Sequence, residues 1–251
     1  MSGALEILPL AGMPEVGEGD DIASLIAGAA REPVRAGDIV VVSQKIVSKA
    51  EGRIRDLALV RPGAEALATA ARTGKDPRLV ELVLGEAASV LRAEPGVIIV
   101  RTHSGLVCAN AGIDASNVPG AESVTLLPED GDASARRIRA GLRPASGQAP
   151  AVVVADSFGR PWRLGQTDVA IGCAGLVSLD DWRGRADRGG RELAATAIAI
   201  ADEAAAAADL ARDKTMGLPV VVIRGLERFV TRDDGPGAAA LRRPESEDLF
   251  G

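Results

Sequence analysis

The sequence predicts an α+β fold in which mixed sheets are flanked by helices. Three short, continuous apolar runs, at 39–42, 151–155 and 220–223, are typical of strands that are buried on both faces. Segments of helix-favouring composition lie between these runs, but helices and strands do not alternate strictly along the chain. This irregular order argues against a doubly wound parallel sheet.

The other elements follow from capping residues, turns and apolar spacing. Asp20 and Asp21 precede an amphipathic stretch and predict a short helix that begins at Ile22. Apolar runs at 97–101 and 106–109 flank a small polar turn and predict a hairpin. Helices are also predicted over 63–72, 77–92, 133–143 and 191–212, the last because it is rich in alanine.

Length and composition indicate a globular protein. The chain has 251 residues, 47% of them hydrophobic, which suffices for one large core or two modest ones. We therefore expect a single unit over residues 1–251, with two closely associated subdomains equally compatible. A net charge of −6, an aromatic content of 2% and the lack of Tyr leave no basic field and few stacking surfaces. Nucleic acid is not an expected partner.

The cysteines and the apolar segments indicate a reducing compartment. Cys108 and Cys173 are both surrounded by small and apolar residues, which is typical of buried, reduced thiols. The amino terminus lacks a basic region followed by an apolar stretch, and no run of about 18 apolar residues occurs. We expect a cytoplasmic protein that does not associate with a membrane.

The acidic residues offer the strongest candidates for chemistry. Asp156 ends the apolar run at 151–155 and precedes a segment rich in Gly and Arg, as expected for a buried strand that delivers an acid to a polar loop. Asp114, Asp168 and Asp213 also lie in predicted loops or at element ends. Carboxylates from several elements can converge on Mg²⁺ or Mn²⁺, whereas each one taken alone can equally be a helix cap or a solvated loop acid.

Two lysines suggest a phosphate site. Lys45 and Lys49 are four residues apart in a predicted polar loop over 43–52, directly after an apolar run. They can present two ammonium groups to a phosphate chain, although a solvated basic loop is equally compatible and the spacing is not that of a P-loop. The turn at 12–14 can offer backbone amides to an anion or a base, but alone it indicates only a turn.

The remaining polar and aromatic residues carry weaker signals. His103 is the single histidine and is more often structural than catalytic in such a setting. Arg160 and Arg163 bracket a Pro-Trp pair and can bind a carboxylate or a phosphate, or form structural salt bridges. Trp162 and Trp182 are predicted to be packing anchors. Any chemistry is therefore expected to depend on carboxylates, lysines and a metal.

Several long motifs give the chain a family resemblance. They lie at 48–53, 110–117, 156–163 and 165–172, with shorter ones at 12–14, 19–21, 190–193 and 217–225. In this order they closely resemble the coenzyme F(420)-0:L-glutamate ligases, which add glutamate to a deazaflavin coenzyme, and the match spans nearly the whole chain. The resemblance implies a two-part α+β ligase fold that forms an intertwined homodimer, in the stand-alone form that lacks a C-terminal nitroreductase-like domain.

The resemblance also implies a reaction. The γ-phosphate of GTP activates a carboxylate of the precursor F(420)-0 as an acyl phosphate, and the amine of L-glutamate displaces phosphate; further γ-linked glutamates can follow. Two alternatives stay open: a nucleotide-binding regulatory homologue that does not ligate, and a metal-dependent amide ligase that acts on another carboxylate.

Site residues carry over from the resemblance by motif. Asp114, Asp156 and Lys49 are implied to be catalytic, and the implied ions are Mg²⁺ or Mn²⁺, with K⁺ in addition. The residues at the metal are Asp114, Asp156, Ser157 and Asp213. Those at GTP are Gly12, Met13, Pro14, Gln44, Lys45, Lys49, Asn117, Lys214 and Gly217.

Overall fold

A computed structural model describes residues 4–115, 120, 122–144, 147–212 and 217–248 and confirms the predicted α+β class. Over this part of the chain, the helices are α1 (Ile22–Ala29), α2 (Gln44–Ala50), α3 (Ala64–Thr73), α4 (Pro77–Glu86), α5 (Gly131–Gly141) and α6 (Ile200–Ala211). The strands are β1 (Glu6–Pro9), β2 (Ile39–Ser43), β3 (Ile54–Asp56), β4 (Ala87–Glu94), β5 (Val97–Thr102), β6 (Val107–Ala109), β7 (Ser123–Thr125), β8 (Ala151–Arg160), β9 (Arg163–Ala174), β10 (Asp180–Asp181), β11 (Ala197–Ile198) and β12 (Val220–Arg224).

A five-stranded sheet of order β1-β12-β2-β8-β9 forms the centre of the fold. β2 and β8 are parallel, and the other neighbours in this sheet are antiparallel. Successive residues of β2 point to opposite faces, so that Val40 and Val42 join one core while Ile39 and Val41 join another. Both faces are buried, which explains why the three central strands read as continuous apolar runs.

Helices cover the two faces of the sheet differently. α1, α2 and α5 supply apolar residues to one core, including Ile26 and Ile138. α6 covers the other face almost entirely with alanines, among them Ala201, Ala204 and Ala208. Small side chains allow this helix to lie close to the strands. The prediction from the alanine content is therefore confirmed for the part of 191–212 that is helical.

A smaller sheet of order β4-β5-β6 packs with α3 and α4 around a separate apolar cluster. Val80 and Val83 of α4 belong to the same cluster as Ile98 and Val100 of β5, and all four side chains are fully buried. The predicted hairpin over 97–109 is confirmed as β5 and β6. β3 and β7 form a further two-stranded sheet.

Three predicted elements are wrong in part, because pairing with strands distant in sequence and packing in the core determine the conformation of short segments. The predicted helix over 77–92 ends at Glu86, since the following residues form β4 and pair with β5. The predicted helix over 191–212 begins only at Ile200, and Ala197–Ile198 pairs with Asp180–Asp181 instead. The predicted polar loop at 43–52 contains α2, whose Ile46 and Val47 enter the main core.

The segment after the central apolar run is also different from the prediction. β8 continues past Ala155 to Arg160 and returns as β9, so the expected Gly- and Arg-rich loop is a long β-hairpin. Asp156 lies inside a strand and not at its end. Trp162 at the hairpin turn is 78% exposed, so the prediction that it is a packing anchor is wrong.

The cysteines agree with the sequence analysis. Cys108 and Cys173 are both free and buried. Burial raises the pKa of each thiol to about 12, and nearby carboxylates add to the rise. Neither thiol therefore forms a reactive thiolate near neutral pH. Among the described residues, no helix is long and apolar enough to cross a membrane.

Candidate active site

One edge of the five-stranded sheet collects the segments that the sequence analysis selected. β2 and β8 are parallel, so their carboxyl ends lie side by side, and Val42 pairs with Val154 near that edge. β12 is antiparallel to β2 and begins at the same edge, where Val220 pairs with Val42. β1 ends there too, because the Leu10 N–H donates to the Val220 carbonyl at 2.9 Å. Crevices at such strand ends are the usual ligand sites of sheets with parallel strands.

Lys45, Asp114 and Asp156 form what we call the acid–lysine centre. Lys45 Nζ lies 2.8 Å from Asp114 Oδ2. The pKa of Asp156 is raised to about 7, chiefly by burial and in addition by the negative charges of Asp168 and Asp114. The backbone N–H of Ser157 and the ammonium of Lys45 act in the opposite direction. Clefts in which titratable groups shift one another's pKa are typical of functional sites.

A strained turn and a backbone bridge fix Asp114. Its N–H donates to the Thr125 carbonyl at 3.0 Å, and the Thr125 N–H donates back at 2.8 Å. The preceding residues Asn110, Ala111 and Gly112 all have positive φ, at 51°, 55° and 70°. For residues other than glycine this conformation costs on the order of 1–3 kcal/mol each, and such strain concentrates at functional sites.

Two lysines of α2 stand one helical turn apart, each paired with a carboxylate. Lys49 Nζ lies 2.5 Å from Glu15 Oε1, and its side chain is 9% exposed. Gln44, on the preceding turn, is buried, and its Oε1 accepts from Ser48 Oγ at 2.9 Å. Among the residues that the structure describes, none is a hydrogen-bond partner of Gln44 Nε2. A buried donor without a partner is costly and indicates a missing acceptor, such as a ligand oxygen.

The turn at 12–14 and Gly217 border the same edge. Gly12 has φ +83° and open space around it, so a side chain there meets backbone strain but no atomic clash. Met13 packs partly buried against the main core, whereas Pro14 is exposed. Gly217 has φ +61° and is exposed. Asn117, Asp213 and Lys214, which were also predicted for this site, lie outside the described residues.

The structure does not gather the acids in the way that a preformed metal site requires. Within the described ranges, no three His, Cys, Asp or Glu side chains are grouped so that they could hold a metal ion. Asp168, which the sequence offered as a fourth converging acid, accepts from Ser157 Oγ at 2.6 Å and from Arg212 Nη1 at 2.8 Å. Its two oxygens are thus engaged by protein donors.

Other candidates from the sequence are separate from the acid–lysine centre. His103 Nε2 lies 3.2 Å from the Gly85 carbonyl, beside the small sheet, which fits a structural role. Arg160 donates to the Leu164 carbonyl at the hairpin turn. Arg160 is four residues along β8 from Asp156, which corresponds to about 13 Å at the usual rise of a strand.

Glu15 and Arg212 contribute to the site and were not found by sequence reasoning. Glu15 follows the turn at 12–14 directly, but nothing in its sequence context points to Lys49. Arg212 directly precedes the segment at 213–216 that was selected for its acid and lysine. Its partner Asp168 lies 44 positions away. Only the folded arrangement of β9 and α6 reveals this pairing.

Fold and site together define an α+β protein with lysines and carboxylates where the parallel strands of a mixed sheet end. The family model of F420-0:Gamma-glutamyl ligase matches residues 12–225. The chain belongs to this ligase family.

Curated relatives match almost end to end. The coenzyme F420:L-glutamate ligase of Methanothermobacter thermautotrophicus is 46% identical over 250 residues, which cover 98% of each chain. The protein of the same name from Methanopyrus kandleri is 44% identical over 248 residues, covering 98% of this chain and 97% of that one. The one from Haloarcula marismortui is 43% identical over 252 residues, covering 98% and 95%.

We predict that Asp156→Asn abolishes Mn²⁺ binding without destabilising the fold. The amide keeps the shape but loses the charge that attracts a cation. In the folded protein, the Asp156 pKa is about 7 instead of 3.8, so ionisation costs stability as the pH rises through that interval. At pH 8 the variant should therefore melt at the same temperature as the parent or above it.

The matched control is Asp202→Asn, because Asp202 is another partly buried carboxylate whose pKa is raised by burial. Mn²⁺ titrations and melting curves are recorded for both variants. The assignment of Asp156 fails if its variant binds Mn²⁺ as tightly as the parent, or if Asp202→Asn loses as much affinity.

Proposed function

We propose that this chain ligates L-glutamate to the carboxylate of the deazaflavin precursor F420-0, with GTP as the energy source and a divalent cation as cofactor. The observation that carries the proposal is the acid–lysine centre, whose three residues all lie in segments that the family model spans. The relatives that match nearly end to end are named coenzyme F420:L-glutamate ligases. This name supports the substrates.

The proposed reaction has two steps. In the first, a carboxylate oxygen of the precursor attacks the γ-phosphorus of GTP, the bond to the β-phosphate breaks, and GDP leaves. In the second, the amine of glutamate attacks the carbonyl carbon of the acyl phosphate. The carbon–oxygen bond to phosphate then breaks, the nitrogen loses its proton, and amide and inorganic phosphate are released. Neither step needs an imidazole base or a thiol, in agreement with the position of His103 beside the small sheet and with the raised thiol pKa of Cys108 and Cys173.

The lysines are suited to the phosphates of GTP. Lys45 and Lys49 present two ammonium groups from the same side of α2, and each is neutralised by a carboxylate. A phosphate oxygen is a stronger partner for an ammonium than an exposed carboxylate such as Glu15. We therefore propose that a phosphate of GTP replaces Glu15 as the partner of the Lys49 ammonium. We also propose that Gln44 Nε2 donates a hydrogen bond to a nucleotide oxygen.

The carboxylates are suited to a divalent cation. Asp114 and Asp156 offer two carboxylates beside the Ser157 hydroxyl, and burial, with the charges of Asp168 and Asp114 adding to it, raises the pKa of Asp156. Hard oxygen ligands of this kind suit Mg²⁺ and Mn²⁺. We propose that Asp114, Asp156 and Ser157 hold the cation, with Asp213 as a further ligand. When bound, the cation would neutralise charge on the transferring phosphoryl group.

We also propose that the protein is a homodimer and that the β8–β9 hairpin contributes to the interface. The turn of this hairpin carries Trp162, which is 78% exposed, and Leu164, which is 97% exposed. Large apolar side chains at the end of a projecting hairpin are suited to burial against a second copy. The exposed strand β4, with Val90 and Leu91, offers another apolar surface.

The homodimer makes a direct prediction. Light scattering coupled to gel filtration should give twice the chain mass for the parent, and Leu164→Asp should shift the equilibrium toward the monomer. Leu210→Asp is the matched control, because Leu210 is 87% exposed but belongs to α6 and not to the turn of the hairpin. A monomeric parent, or a dimer that both variants leave intact, contradicts this interface.

Reconstitution tests the reaction itself. With GTP, Mn²⁺, L-glutamate and the deazaflavin precursor, mass spectrometry should show the precursor heavier by one glutamate residue for each amide formed. Oxygen-18 in the reacting carboxylate should appear in the released phosphate, one atom per amide. The double variant Cys108→Ser with Cys173→Ser should keep this activity. If the protein binds GTP but forms no product, it is a regulatory homologue. If it forms an amide only with another carboxylic acid, the substrate is different. If the released phosphate carries no oxygen-18, the reaction does not pass through an acyl phosphate.

Kinetics of the lysine variants test the nucleotide site. Lys49→Ala should raise the KM for GTP by an amount that corresponds to roughly 1–3 kcal/mol of lost binding free energy, and it should change the KM for glutamate much less. Glu15→Gln should have the opposite effect and lower the KM for GTP, because this change removes the negative charge that competes with GTP for Lys49. Lys75→Ala, on the loop before α4, is the control that should change neither. Equal effects of Lys49→Ala on both substrates would remove Lys49 from the GTP site.

A further inference from the structure

A β-bulge in β9 sets which residue faces Ser157. From Val152 to Val154, β8 pairs with β9 in one register, in which Val154 lies opposite Gly172. From Ala155 onward the register is shifted by one, so that Asp168 lies opposite Ser157. Without the extra residue in β9, Ser157 would face Val169. Bulges of this kind re-aim side chains and are frequent next to active sites.

The re-aimed pair is part of a buried polar chain. Ser157 Oγ donates to Asp168 Oδ1 at 2.6 Å, and Arg212 Nη1 donates to Asp168 Oδ2 at 2.8 Å. The Asp168 side chain is 4% exposed and that of Arg212 is 11% exposed. A buried hydrogen-bonded ion pair of this type holds its members in a single arrangement far more firmly than a surface pair does.

Arg212 also ties this chain to the sheet edge. Its Nη2 lies 3.3 Å from the Val41 carbonyl and 3.5 Å from the Pro219 carbonyl. Arg212 follows α6, Val41 belongs to β2, and Pro219 immediately precedes β12. A single guanidinium thus connects the β8–β9 hairpin to the end of α6 and to the strands that border the acid–lysine centre.

We propose that the Asp168–Arg212 ion pair positions the Ser157 hydroxyl, and with it the adjoining Asp156, to receive the divalent cation. The inference rests on the proposed function. A hydroxyl that donates its hydrogen to a carboxylate keeps its lone pairs for a cation. Arg212 at the same time neutralises Asp168, so that Asp168 orients a ligand and does not itself bind the metal. Partners of metal ligands act in this way and typically change metal affinity 10–100-fold.

A second buried ion pair, between Asp38 and Arg224, lies at the other end of β2 and β12, away from the edge that carries the acid–lysine centre. Arg224 Nε lies 3.2 Å from Asp38 Oδ1, and the two side chains are 12% and 3% exposed. Asp38 precedes β2 and Arg224 ends β12, so this pair resembles Asp168–Arg212 in burial but lies away from the acid–lysine centre. It serves as the control for a purely structural effect.

The experiment is a Mn²⁺ titration followed by electron paramagnetic resonance, with GDP present and no turnover. Asp168→Asn keeps the shape of the side chain and should weaken Mn²⁺ binding about tenfold. Ser157→Ala should weaken it by a similar factor, and the double variant should lose no more than the larger single effect, because both changes remove the same interaction. Asp38→Asn should lower the melting temperature but leave the Mn²⁺ affinity unchanged.

Each other outcome overturns the inference in a recognisable way. Unchanged Mn²⁺ affinity in Asp168→Asn, or an equal loss in Asp38→Asn, shows that the pair is only structural. Fully additive losses show that Asp168 binds the cation itself. If Asp168→Asn does not fold, Arg212→Lys replaces it with Arg224→Lys as its control, and the same comparison decides. If the parent protein binds no Mn²⁺, both the proposed metal site and this inference fail. If the parent binds Mn²⁺ but the variants do not behave as expected, only this inference fails.

Discussion

The parallel pairing of β2 with β8 is the constraint on which the site depends. It places the carboxyl ends of two buried strands side by side, at the point where β1 ends and β12 begins. An antiparallel pairing would send α2, with its lysines, to the opposite edge from Asp156. The short apolar runs that form these strands therefore do more than fill the core, because their pairing decides which polar residues lie close together.

Electrostatic repulsion is concentrated at this edge and is only partly balanced inside the protein. Lys45 faces Asp114, Lys49 faces Glu15 and Arg212 faces Asp168, while burial and the neighbouring carboxylates raise the pKa of Asp156 to about 7. The strained turn before Asp114 and the unpartnered amide of Gln44 lie in the same region. Local unfavourable features of this kind persist where a function requires them and the surrounding core is stable enough to hold them.

Much of the fold could be predicted from the sequence, because buried strands and amphipathic helices leave strong periodic signals. The runs at 39–42, 151–155 and 220–223 are all strands of the central sheet. The failures are short segments with weak signals: α2 was read as a loop, the end of β8 as a loop, and β4 as helix. Their conformations are set by partners distant in sequence, such as β9 for β8 and β5 for β4. The same limit applies to the site: the sequence selects Asp156 and Lys49 as candidates, but the pairing of Asp168 with Arg212 is visible only in the folded chain.

The most direct test of this account is a crystal structure of the protein with Mn²⁺ and GDP, with the metal located by its anomalous scattering. The account predicts a manganese peak in contact with the carboxylates of Asp114 and Asp156. It also predicts a diphosphate on Lys49, with Glu15 displaced from that lysine. A manganese peak away from these two carboxylates, or a nucleotide bound elsewhere while Lys49 stays on Glu15, would contradict it.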